Sequence, residues 1–68
     1  MVVLSMNKNN FIRLVENKLN QQYVINRLIN LERVQKLLRN LENEKNNDEI
    51  KNIMESIIFE FQASNLNL

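Results

Sequence analysis

The sequence predicts an all-α protein. The expected form is a long helix and a shorter helix paired as an antiparallel hairpin, which dimerises into a four-helix or coiled-coil-like bundle. Three observations lead there. Apolar residues recur three and four apart over most of the 68 residues. Gly, Pro and Thr are all absent, which removes the common turn-formers and helix-breakers and leaves little for strands. Finally, the long helix displays more apolar surface than the short one can cover.

One domain, residues 1–68, is all that this length accommodates. Such a chain buries only roughly 60% of its unfolded surface, so its stability is marginal. Neither Cys nor His occurs, which excludes disulfides and the usual zinc sites as staples. Small scaffolds without staples often gain burial by oligomerising. Asn, by contrast, occurs 14 times and suits caps and turns.

The opening MVVLSM is apolar but too short for a signal-peptide core or a membrane span. Residues 1–6 are read as disordered or tag-derived, with Met6 as an alternative start. The lack of a targeting segment and of Cys points to the cytoplasm. Asn7, Asn9 or Asn10 supplies the first cap, because an Asn side-chain oxygen accepts from a backbone N–H left free in the first turn.

Phe11, Ile12, Leu14, Val15 and Leu19 then follow helical spacing. Asn20-Gln21-Gln22 interrupts the pattern without stopping a helix outright. A continuous helix over 10–45 is therefore predicted, with a break at 20–22 as the alternative. Its clearest stretch is Tyr23–Leu41, where Val24, Leu28, Leu31, Val34, Leu38 and Leu41 share a face. Ile25 and Ile29 widen the apolar arc at its start, so this part needs neighbours on two sides. Beyond Leu31, Leu37 joins the apolar side, while Arg33, Lys36, Arg39, Asn40 and Asn43 fall on the polar one.

Asn46-Asn47-Asp48 is the best turn. Asn47 or Asp48 is expected to cap a second helix over 48–64, with Glu49 favourable in its first turn. Ile50, Ile53, Met54, Ile57, Ile58 and Phe61 form its apolar face, and Lys51, Asn52, Glu55 and Gln62 lie outside. Phe59 falls off the stripe. The tail from Asn65 to Leu68 is expected to fray.

Length now decides the assembly. A helix of about 36 residues runs roughly 54 Å and one of about 17 runs roughly 25 Å, so a hairpin turning at 46–48 leaves the first half of the long helix bare. Either the first segment folds back into a three-helix unit, or a second chain covers it. The second solution is the one expected. Its seam is Phe11, Ile12, Leu14, Val15, Leu19, Tyr23, Val24, Ile25, Leu28 and Ile29, met by the same residues of a second copy.

Charge supports pairing of some kind. Residues 1–40 carry seven Lys/Arg against two Glu, and residues 41–68 carry two Lys against six Asp/Glu. Oppositely charged halves favour folding back within the chain or antiparallel pairing with a second one.

Catalysis is not expected. Without His or Cys the commonest general base and the best nucleophile are missing, and without Gly no phosphate-cradling loop can form. The carboxylates near the turn (Glu42, Glu44, Asp48, Glu49) lack the spacing of a calcium loop, so neither a cofactor nor a metal is expected. The leading functional expectation is a homodimeric protein–protein interaction module: a small adaptor, inhibitor or regulator. Arg27, Arg33, Lys36, Arg39 and Phe59 are the candidate partner-binding residues, and the lone Tyr23 is a candidate hot spot in the seam. One alternative is a small nucleic-acid-binding regulator that uses the same Arg and Lys residues on phosphates. Another is a structural or assembly subunit. Membrane-surface binding is disfavoured, because the wide apolar arc is better used inside a bundle.

Overall fold

Asparagine punctuates this chain where others use Gly, Pro, Ser or Thr. The computed structural model describes residues 6–21, 24 and 29–68, and among these the secondary structure is entirely helical. Bounded within the described residues are the helices α1 (Lys8–Leu19), α2 (Leu31–Asn43) and α3 (Asn47–Ala63). Each starts behind an Asn. The Asn7 side chain accepts from the Asn10 N–H at 2.8 Å, and that of Asn30 accepts from the Arg33 N–H at 3.1 Å. Asn46 accepts from both Asp48 and Glu49, at 2.9 and 3.1 Å. These bonds satisfy N–H groups that the helix itself leaves without acceptors.

The continuous helix expected over 10–45 is not formed. α1 ends at Leu19, and the Asn20 N–H reaches back to the carbonyls of Glu16 and Asn17, at 3.2 and 3.3 Å. Gln21 bonds to the Lys18 carbonyl three residues back, at 3.0 Å, which tightens the end. A new helix then starts behind Asn30. The reason is burial. A straight rod of about 36 residues would measure roughly 54 Å, whereas the longest dimension of this molecule is 33 Å. Breaking the rod lets Phe11, Ile12 and Val15 leave water, and each such side chain gains about 1.5–3 kcal/mol by doing so. Middling helix formers at the break offer little resistance.

α2 is the central element, because both α1 and α3 pack against it. Val34, Leu38 and Leu41 of its stripe are buried, Leu37 is half-buried, and Leu31 lies exposed at its start. Arg33, Lys36, Arg39, Asn40 and Asn43 face solvent, as the periodicity requires. From α3 come Met54, Ile57 and Phe61, with Ile50, Ile53 and Ile58 partly buried around them. One core unites these residues with Phe11, Ile12, Val15, Val24 and Ile29.

The α2–α3 link spans residues 44–46, ahead of the expected turn. The Glu44 carboxylate accepts from the backbone N–H groups of Lys45 and Asn46, each at 3.1 Å. The cap is thus Asn46 rather than Asn47 or Asp48, and the helix occupies 47–63 rather than 48–64. This frees Asp48 and Glu49 for the first turn, where carboxylates suit the positive end of the helix dipole.

The C-terminal residues do not fray. Ser64 caps α3 and Asn65 takes a left-handed backbone with φ of 59°. The Leu66 N–H bonds to the Phe61 carbonyl at 2.9 Å, and the Asn65 N–H to that of Gln62 at 3.0 Å. This is the Schellman arrangement, which normally comes with an apolar contact across the helix end. Here both Leu66 and Phe61 are buried in the core. Asn stands where Gly is usual, being the residue that best tolerates this conformation after Gly.

Candidate interaction surface

The expected dimer seam is sheltered in part by the chain itself. Phe11, Ile12, Val15, Val24 and Ile29 are buried within one molecule, and Leu14 and Leu19 are half-buried. Tyr23, Ile25 and Leu28 lie outside the described residues. For the buried residues of this face the chain's own fold supplies the cover that a second copy was expected to give.

What remains outside is on α2 and α3. Phe59 is 65% exposed. Two residues away Phe61 points into the core, because successive helix positions are about 100° apart. Asn52, Glu55 and Ser56 precede Phe59 by seven, four and three residues, so they share its face. Together with Arg33 of α2 these residues line an open groove of about 440 Å³.

Arg33 is held over the groove by an ion pair, its Nε standing 3.4 Å from Oε2 of Glu60. Glu60 is the better-sheltered partner, 16% exposed against 56% for Arg33. The contact joins the first turn of α2 to the last turns of α3. Ser56 contributes little chemistry, because its hydroxyl donates to the Asn52 carbonyl at 3.0 Å, a common back-bond within helices.

Arg33 also borders a second depression, of about 340 Å³, shared with Asn30, Glu32 and Lys36. The two depressions thus adjoin at Arg33. Arg39 is exposed one turn beyond Lys36, outside both depressions. Arg27 lies outside the described residues. A third groove, of about 440 Å³, lies between α1 and α2, lined by Glu16, Asn17, Leu19, Asn20, Gln35 and Leu38.

Of the residues singled out from sequence, the structure places Arg33 with Phe59 in one groove and with Lys36 in the other depression. Glu60 was not among them, although it fixes Arg33. Nothing local marks it, since the pairing depends on how α2 and α3 align between residues far apart in sequence. Asn52, Glu55 and Ser56 were recoverable in principle from their helical offsets to Phe59.

Among the described residues, no three of His, Cys, Asp and Glu converge as a metal site, and no helix is long and apolar enough to cross a membrane. Comparison with protein-family models, with curated proteins and with solved structures finds no match to this chain.

Proposed function

We propose that this chain is a non-catalytic helical interaction module, a small adaptor, inhibitor or regulator, whose contact face is the outer side of α3 around Phe59. One observation carries the reading: a large aromatic side chain left 65% exposed in a molecule that buries Phe11 and Phe61 almost completely. Covering such a ring on binding is worth about 1.5–3 kcal/mol, and aromatic side chains beside polar groups are typical anchors of protein interfaces. The groove beside it offers Arg33, Asn52 and Glu55 as polar rim.

α2 and α3 act as the rigid support. We read them as an antiparallel hairpin, on the strength of the short 44–46 link and the Arg33–Glu60 pair between the start of one helix and the end of the other.

A protein partner is favoured over nucleic acid by the electrostatics. Arg33 is compensated by Glu60, and Lys36 shares its depression with Glu32. Phosphate binding calls for a continuous basic track, and these carboxylates interrupt it.

The test uses tagged wild type and Phe59→Ser as baits in nuclease-treated extract of the source cells, with circular dichroism confirming equal helicity. The reading requires a protein retained by the wild type and lost from the variant. Identical sets of proteins on both baits, or complete loss of signal with nuclease, would overturn it.

A further inference from the structure

The stretch SIIFEFQA at 56–63 obeys two periodicities at once. At helical spacing it buries Ile57 and Phe61, shelters Ile58 in part and leaves Phe59 in water. At a period of two, Ile57, Phe59, Phe61 and Ala63 fall on one side, and Ser56, Glu60 and Gln62 on the other. Ile58 is then the misfit. Phe59, which the helix cannot bury, sits in the middle of the apolar face that a strand would have.

What keeps this stretch helical is the rest of the fold. Ile and Phe are middling helix formers and among the better strand formers. Glu60 lies in the last turn of α3, where the negative end of the helix dipole disfavours a carboxylate, and α3 has no basic residue of its own there. Its counter-charge is Arg33, which comes from α2. Ile57 and Phe61 likewise gain their shelter from the common core. Local preference and tertiary packing therefore pull in different directions over 57–61, and such a conflict keeps a competing state within reach.

We infer that residues 56–62 are a helix-to-strand switch. Held against α2 they are helical. Once the fold opens, they pair as strands with the same segment of other opened copies, and Ile57, Phe59 and Phe61 interdigitate in the dry face between sheets. Short, uncharged or weakly charged runs of β-formers without Pro behave in this way when unfolding exposes them, and Glu60 is the one charge in the run. The inference concerns the opened chain, so it does not rest on the reading of Phe59 as a contact residue of the folded one.

The test uses the full chain as wild type, Phe59→Lys, Asn52→Lys and Phe59→Ile. Asn52 shares the exposed face of Phe59 but lies outside the segment, so the two Lys variants change the folded surface alike. Each protein is agitated at about 100 µM, a range in which opened chains meet, in urea at its own unfolding midpoint. Thioflavin T then follows assembly from equally populated open states. Wild type should form fibrils with the cross-β spacing of about 4.7–4.8 Å and a protease-resistant core that includes 56–62. Phe59→Lys should lengthen the lag at least about tenfold, as a charge inside such a segment does, while Asn52→Lys stays within about twofold of wild type. Phe59→Ile, apolar and β-branched, should assemble like wild type. A wild type that forms no fibrils, a resistant core that excludes 56–62, or equal delays in the two Lys variants would overturn the inference. So would a Phe59→Ile protein as slow as Phe59→Lys.

Discussion

Lys8 closes the far end of α2: its Nζ donates to the Glu44 carbonyl at 2.9 Å and to the Glu42 carbonyl at 3.4 Å. The bond spans 36 positions of sequence and ties the first turn of α1 to carbonyls that α2 cannot satisfy itself. A cation there also meets the negative end of the helix dipole. α2 has no basic residue of its own in its last turn, so α1 supplies one.

Replacing Lys8 with Met should therefore cost about 1–2 kcal/mol, the range for a charge-assisted hydrogen bond at a partly buried site. For a domain this small the melting temperature should fall by about 4–15 °C. Thermal unfolding followed by circular dichroism reads it. Lys8→Arg should recover part of the loss, since it restores a cation but not the same reach. A melting point unchanged in Lys8→Met would show the contact to be energetically idle.

The asparagine caps should be unequal. Asn46 accepts two backbone bonds and Asn30 one. Asn46→Ala should destabilise by about 1–2 kcal/mol and Asn30→Ala by about 0.5–1 kcal/mol, within the spread known for such caps. Asn46→Asp should be neutral or stabilising, because it keeps the acceptor and adds a charge at the positive end of α3. Urea midpoints at constant m-value give the order. Equal losses at both positions would contradict it.

At Asn65 the backbone decides. The residue has φ of 59°, which costs most side chains about 1 kcal/mol or more and Gly nothing. Asn65→Gly should raise stability by a few tenths of a kcal/mol. Asn65→Ala should lower it by about 1 kcal/mol and loosen Leu66, which the motif holds in the core. Hydrogen exchange at the Leu66 amide, donor to the Phe61 carbonyl, should be slow in the parent and accelerated in the Ala variant.

These sites show what could be read from the residues and what could not. The face of α2 from Val34 and the face of α3 were legible, because each has a repeating 3–4 spacing and nothing competes with it. That Asn would cap helices was also legible. Which Asn would do so was not, since Asn46 and Asn47 are chemically identical and the choice depends on Glu44 turning back to accept from the link. The break after Leu19 was misjudged for a related reason. Asn20 and Gln21 permit either a helix or its end, and the decision came from burying Phe11 and Val15 against distant residues. For the surface, Phe59 was visible as the one aromatic off its stripe. Arg33–Glu60 was not, because it depends on the register between two helices.

Phe59 and Phe61 offer the sharpest contrast, being chemically identical and two positions apart. Phe61 is 1% exposed and also anchors the closing motif of α3 through its carbonyl. Truncating it to Ala removes a buried ring and leaves a cavity, at a cost of about 3–5 kcal/mol. A 68-residue chain has roughly 3–10 kcal/mol in hand at about 0.05–0.15 kcal/mol per residue, so Phe61→Ala should be largely unfolded or molten at 37 °C. Phe59→Ala removes the same atoms from a side chain that touches mostly water, and should change stability by no more than about 0.5 kcal/mol. Chemical denaturation of the two variants side by side separates structure from function. A Phe59→Ala loss approaching that of Phe61→Ala would mean the ring is already sheltered, and the case for it as a contact residue would go with it.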